Sequence, residues 1–254
     1  MTAGLGVDGT SVSSWAFAAL VVAAVSVGFA KTAIGGFGSI AVAIFAAVLP
    51  ARESTGALLP LLLVGDVMAV AAYRAHADWR ILLRLFPSVL AGVAVGTLFV
   101  AQVDDTVMRR TIGVVLVALV GLHLWTRRRR AEPARVHAGR ALTAAYGTMA
   151  GFTTMVANAG GPVMSLYLLS AGLSMLGFLG TATMFFFLVN LAKVPFSVGL
   201  DLISWASLRL DLLLVPAVLL GGWLGRHAIK RIDEALFERL VLVFTVVSAI
   251  NLLR

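Results

Sequence analysis

Ten apolar segments follow one another along this chain, and two of them are too short to cross a bilayer. They run at about 15–34, 40–49, 56–73, 81–101, 107–125, 141–157, 163–171, 176–200, 208–224 and 236–253. A helix needs about 20 residues to cross the hydrocarbon, and eight of the segments reach or approach that length. The exceptions, 40–49 and 163–171, each follow a glycine pair, Gly35-Gly36 and Gly160-Gly161. As helices they would extend only about 15–18 Å, half of a core about 30 Å thick.

Composition excludes the soluble alternatives. Of 254 residues, 60% are hydrophobic and 13% charged, with a mean hydropathy of +1.00; a soluble domain carries about 25% charged residues. A disordered chain has far less apolar surface. The expected class is therefore an all-α integral membrane protein. The net charge of +8 fits Arg-rich cytoplasmic loops better than a nucleic-acid surface, because no basic stretch is interleaved with aromatics. There is no cysteine, hence no disulfide framework or thiolate metal site. Residues 1–14 contain Asp8 and no Lys or Arg, so they read as a tail before a retained span, without the positive n-region of a signal peptide.

The chain reads as a duplication. Val103-Asp104-Asp105-Thr106-Val107-Met108-Arg109-Arg110 aligns without a gap on Ile232-Asp233-Glu234-Ala235-Leu236-Phe237-Glu238-Arg239, and the same offset of 129 sets Gly92-xxx-Gly96 on Gly221-xxx-Gly225. Upstream, Gly28-Phe29 matches Gly151-Phe152, and Asp66 and Asn190 fall at nearly equivalent places. The expected organisation is a tail (1–14), a first repeat (15–126), an Arg-rich cytoplasmic linker (127–138) and a second repeat (139–254). Each repeat holds four full transmembrane helices plus a short half-helix after its Gly-Gly break. Arg74, Arg80 and Arg84 lie in loop 74–84, whereas the equivalent loop, 201–211, has only Arg209; the bias reverses between 103–110 and 226–239. Opposite bias in equivalent loops predicts inverted repeats, five elements each, with both termini outside.

Within hydrocarbon, irregular backbone survives only where protein or a wet cavity surrounds it, so paired breaks point to a transport site near the midplane. The helices after them would start at Gly38-Ser39-Ile40 and Pro162-Val163-Met164. Their free N–H groups and helix dipoles would form a two-sided anion cradle. Gly92-xxx-Gly96 and Gly221-xxx-Gly225 read instead as close helix packing. Of 20 basic residues only three are lysines, and Lys31 and Lys193 lie inside apolar segments; Asp66 reads as the one acid placed likewise. Ionisable groups there face an interior or a cavity. Asn190 and Lys193, three apart, share a helix face, and Pro195 beyond them suggests a kink. Lys31 and Thr32 precede the first break, and Asn158 precedes the second. One carboxylate cannot neutralise two lysines: the surplus favours an anionic ligand, or one lysine kept neutral by desolvation. A Lys–Asp bridge that only holds helices together is the plainer alternative.

Gly28-Phe29 with Gly35-Gly36-Phe37-Gly38, the Asp78-Trp79 pair before a Gly-xxx-Gly span, and the second glycine pair resemble the sulfite exporter TauE/SafE family of bacterial membrane proteins. The resemblance covers about 15–253 and implies movement of sulfur-containing anions such as sulfite, sulfoacetate or related organosulfonates across the inner (cytoplasmic) membrane. The copies differ at Lys31, which has Thr154 or Met155 opposite it.

The expected function is secondary transport of a small anion. Lys31, Thr32, Gly35, Gly36, Gly38, Ser39, Asn158, Gly160, Gly161, Asn190 and Lys193 are its candidate ligands, and Asp66 is a proton carrier or counter-ion. One half would rock against the other. No cofactor or metal is expected, no nucleic-acid partner, and no catalytic site: neither a nucleotide-binding loop nor a His-Glu-xx-His or Gly-x-Ser-x-Gly motif occurs. A passive anion channel is the runner-up, a membrane-embedded enzyme comes third, and a homo-oligomer stays open.

Overall fold

The computed structural model describes residues 6–7, 10–11, 13–33, 38–128 and 139–228. Gly35, Gly36, most of the linker and the tenth apolar segment lie outside the described residues. Among those described the chain is helical apart from one antiparallel pair of two-residue strands, β1 (Gly6–Val7) and β2 (Thr10–Ser11). The helices are α1 (Ser14–Thr32), α2 (Gly38–Val48), α3 (Ala51–Tyr73), α4 (Trp79–Gln102), α5 (Asp105–Arg128), α6 (Arg140–Ala157), α7 (Gly161–Ser170), α8 (Met175–Gly199) and α9 (Trp205–Ala228); a 3-10 turn, Arg74–His76, follows α3.

The boundaries have local causes. Asp78 caps α4 by accepting from Arg80 N at 2.9 Å and Ile81 N at 3.2 Å; Asp104 receives Val107 N at 2.7 Å at the start of α5, and Ser174 receives Gly177 N at 3.2 Å at that of α8. Such oxygens satisfy N–H groups that a helix leaves open. The short helices start where the sequence predicts, α2 at Gly38 and α7 at Gly161 with Pro162 in its first turn, where a missing N–H costs nothing.

Among the described residues, five helical stretches are long and apolar enough to cross a membrane: Ser14–Thr32, Ala51–His76, Trp79–Gln102, Leu176–Gly199 and Trp205–His227. The helices α5 and α6 are less apolar. All five tryptophans are exposed, and each lies near a helix end: Trp15, Trp79 and Trp205 at starts, Trp125 and Trp223 toward ends. Amphipathic rings at both ends of apolar helices are the arrangement a bilayer's two interfaces select.

Two close helix pairs join the halves of the chain, α1 with α9 and α4 with α6. Small residues let the backbones approach. A Cβ on Gly28 would run into the Val218 carbonyl, and one on Gly151 into that of Val89; a Cβ on Gly221 would meet Val25 O, and one on Gly92, Thr148 O. Gly225 lies against Phe29 and Thr32, and Gly96 against Phe152 and Met155. Each of these glycine contacts in one pair has its counterpart in the other, at offsets of 123 (α1 to α6) and 129 (α4 to α9). Pro87 and Pro216, each inside its helix, fall on the same register. Gly92-xxx-Gly96 and Gly221-xxx-Gly225 are thus packing surfaces, as expected.

Between these pairs α3 lies antiparallel to α8. Gly56, early in α3, meets Leu202 just beyond α8, while Gly180, early in α8, meets Tyr73, His76 and Ala77 just beyond α3. The Asp78 N–H donates to Thr181 Oγ1 at 2.9 Å and fixes that second contact. The short helix α2 packs on α1 and α3, and α7 on α6 and α8. Phe45, Leu58, Leu61, Phe185 and Val189 belong to the buried apolar cluster between them.

Candidate functional site

The polar residues singled out in the apolar segments form one connected chain. Lys31, in the last turn of α1, runs its stem past Gly65 of α3, where a Cβ would stand 2.9 Å from Lys31 Cγ. Its Nζ lies 2.6 Å from Asp66 Oδ1 and 4.8 Å from the centroid of the Phe186 ring on α8, close enough for the ring face to attract the cation. The other carboxylate oxygen of Asp66 accepts from Asn190 Nδ2 at 2.6 Å. One turn further along α8, Lys193 Nζ lies 3.5 Å from Asn190 Oδ1 and donates to Asn158 Oδ1. Asn158 Nδ2 in turn donates to the Thr55 carbonyl of α3 at 2.9 Å. The chain therefore crosses from the helix before the first break to the residue at the second, through α3 and α8.

Asn158 is the pivot of the second break. It ends α6 with φ 49°, in the left-handed region that Asn tolerates better than most residues. Its N–H donates to Thr154 O at 3.0 Å, and Ala159 N to Thr153 O at 3.2 Å. The reversal turns its side chain toward Lys193 and closes the helix end at the same time.

The two lysines are held differently. Lys31 is 14% exposed and ion-paired. Lys193 is 1% exposed, has amide oxygens for partners, and has no carboxylate partner among the described residues. Asp66, fully buried, gives one oxygen to Lys31 and the other to Asn190, and lies beyond ion-pair distance of Lys193. A buried ion pair is tolerable when its remaining lone pairs are hydrogen-bonded, whereas a buried cation facing only dipoles is not neutralised. The expected bridge through Asp66 thus forms with one lysine and leaves the other as surplus.

The other expected residues divide into two groups. Gly38 and Gly161, which open α2 and α7, border free space: a Cβ on Gly38 would meet nothing within 4 Å, and one on Gly161 only Phe186 Cζ at 4.0 Å. Ser39 follows Gly38 and is half-buried. Gly160 instead packs tightly, with Ala150 O and the Thr154 Cβ each 3.0 Å from where its own Cβ would be. Thr32 is committed to helix packing, its hydroxyl 2.9 Å from Gly222 O on α9 and 3.2 Å from Gly28 O, while its carbonyl accepts from Tyr73 Oη at 3.2 Å.

Sequence reasoning missed Phe186, an ordinary apolar residue in an apolar helix, and the Thr55 carbonyl, which no side chain announces. It also missed Asp211. Asp66 is not the one acid so placed: Asp211 is 3% exposed on α9. Its position next but one to Arg209 made 201–211 read as a loop, whereas the helix starts at Trp205.

Comparison with known proteins gives one match. A family described as sulfite exporter TauE/SafE matches residues 20–252, nearly the whole chain. No curated protein and no solved structure matches.

Proposed function

From the premise that the chain belongs to the sulfite exporter TauE/SafE family, a family of transporters and not of enzymes, we propose that it is a secondary transporter for small sulfur-containing anions, sulfite or organosulfonates such as sulfoacetate. It is a multi-pass membrane protein, and its partners are the bilayer and a small anion. The anion binds beside Lys193, near the midplane, between the starts of α2 and α7. The observation that carries this reading is Lys193, a lysine enclosed in an apolar helix with amide oxygens as its partners among the described residues. A sulfite or sulfonate oxygen supplies the missing charge and accepts a charge-assisted hydrogen bond.

The other candidates take graded roles. Gly38 and Gly161 leave room for an oxyanion to approach the open N–H groups of two helix starts, where the dipoles favour it. Asn158 and Asn190 fix the position of Lys193 and offer hydrogen bonds, as does Ser39. Gly35 and Gly36 are candidates from the sequence alone. Lys31 and Asp66 hold α1 to α3 as a neutral pair, and Thr32 and Gly160 keep the backbones close.

The repeats, 15–126 and 139–254 joined by the linker 127–138, are inverted. Two observations support this: the residue-for-residue reciprocity of the α1–α9 and α4–α6 contacts, and the antiparallel setting of α3 against α8, which a two-fold axis exchanging them must cross at right angles. With the Arg-rich linker in the cytoplasm of the inner membrane, both termini lie outside. Because the closest contacts join opposite halves, the rocking bodies of alternating access are the composite bundles α1–α2–α9 and α4–α6–α7, moving about the α3–α8 pair.

Calorimetry on the purified protein tests the site: sulfite binds, and Lys193→Ala weakens it. Wild-type affinity retained by both Lys193→Ala and Lys31→Ala overturns the electrostatic site. Trans-stimulated counterflow of sulfite in liposomes identifies a carrier, and its absence with high unitary flux a channel.

A further inference from the structure

Among the described residues, one buried carboxyl lies outside this polar chain and has no task in it. Asp211 is the seventh residue of α9, and neither of its carboxylate oxygens has a hydrogen-bond partner among the described residues. Among the described residues, the elements packed most closely on α9 are α1, α3 and β1, and none of them pairs with it. The strand β1 bears no titratable group. On α1, Lys31 is bound to Asp66. On α3, Asp66 is taken by Lys31 and Asn190, Tyr73 donates to Thr32 O, and Arg52 and Glu53, in the first turn, do not reach it. On α9 itself Arg209 is exposed, and Arg226 and His227 lie in the last turn, about 22 Å further along the axis.

The duplication supplies an internal control. In the gap-free register that sets Arg209 on Arg80, Pro216 on Pro87 and Gly221 on Gly92, Asp211 falls on Leu82. Leu82 is as enclosed, 2% exposed against 3%. Packing at this position is therefore satisfied by a leucine, and the second copy carries a carboxyl where the architecture needs none. An ionised carboxylate without a partner is among the least tolerable groups in such surroundings; a protonated one is tolerated. A divalent metal ion would need several oxygen ligands, and no cluster of three ligating side chains exists among the described residues. The proton is the ligand that one carboxyl binds alone.

Asp211 is also set apart along the transport axis. It precedes Gly222, the partner of Thr32, by eleven residues, about 16 Å. That places it toward the surface where α1, α3 and α9 begin, since these three helices run side by side in one direction.

We propose that Asp211 is a proton-binding site that couples anion movement to a proton gradient. The inference rests on the transport reading above. The carboxyl holds its proton while the site is closed. When the α1–α2–α9 bundle rocks and water reaches the site, the O–H bond breaks, the proton passes to water, and the carboxylate left behind is hydrated until it takes a proton again.

The test uses the full-length protein in liposomes. Infrared spectroscopy of the wild type at neutral pH shows the carbonyl stretch of a protonated carboxyl, and Asp211→Asn removes it. With the membrane potential clamped, a pH gradient of one unit drives about tenfold accumulation of labelled sulfite at one proton per anion, about 1.4 kcal/mol. Asp211→Asn, which copies the protonated shape, and Asp211→Leu, which copies Leu82, retain sulfite counterflow but only equilibrate under the gradient. A band that persists in Asp211→Asn, or accumulation by either variant equal to wild type, overturns the proposal. Counterflow without gradient-driven accumulation in the wild type overturns the coupling and leaves the transporter standing. No sulfite movement in the wild type overturns the transport reading and the coupling together, and the infrared band still decides whether Asp211 holds the proton.

Discussion

Each half of the chain sets one lysine inside an apolar helix, and the two are handled in opposite ways. Lys31 reaches a carboxylate at 2.6 Å and an aromatic face at 4.8 Å, so its charge is answered within the protein. Lys193 is the more deeply enclosed and is met by two amide oxygens. Depth of burial and neutralisation are thus separate properties. A closed pair ties helices together, and the lysine left without a carboxylate is where we propose that the anion binds.

The sharpest way to break this contrast is to take the answer away from Lys31. Asp66→Asn leaves a buried cation unpaired and should cost about 3–5 kcal/mol of stability, read as thermal unfolding in detergent; the double variant Lys31→Met/Asp66→Asn should recover most of it. Next in size is the open lysine. Lys193→Met should weaken sulfite about a hundredfold, close to 2.8 kcal/mol, in calorimetry, whereas the double variant, which removes the closed pair as a unit, should stay near wild type. Equal losses would show that both lysines serve the ligand. The glycines extend the comparison to backbone: Gly221→Ala and Gly92→Ala, each driven into a carbonyl, should each destabilise by about 1–3 kcal/mol, and by similar amounts if the two interfaces are equivalent. Gly38→Ala, facing free space, should leave unfolding unchanged while lowering affinity. The smallest effect concerns the second break, where Asn158→Ala should unfold more easily than Asn158→Gly by about 1 kcal/mol, the cost of a left-handed Cβ.

What the sequence disclosed follows from what repeats in it. Lys31, Asp66, Asn158, Asn190 and Lys193 were legible because polar atoms in hydrocarbon are scarce and need one another, so finding them is nearly the same as pairing them. The glycine spacings revealed packing because backbones approach only where side chains are missing. Which lysine takes Asp66 was not legible: that depends on the approach of α1 to α3 at Gly65, a matter of ångströms that spacing does not carry. Asp211 was hidden by a helix start. With Arg209 beside it, the charge pair reads as a loop edge, and only the backbone of α9 shows that the helix has already begun at Trp205.

The paired glycine contacts have a consequence for assembly. Gly28 meets Val218 as Gly151 meets Val89, and Gly221 meets Val25 as Gly92 meets Thr148, so each half presents both surfaces of the joint, one on its first helix and one on its fourth. A protein with a single copy of the unit already owns everything needed to clasp a second molecule of itself through the same two contacts. Held in one chain, the two halves need not match: one sets Lys31 beside Asp66, the other sets Lys193 on α8, and where one has Leu82 the other has Asp211.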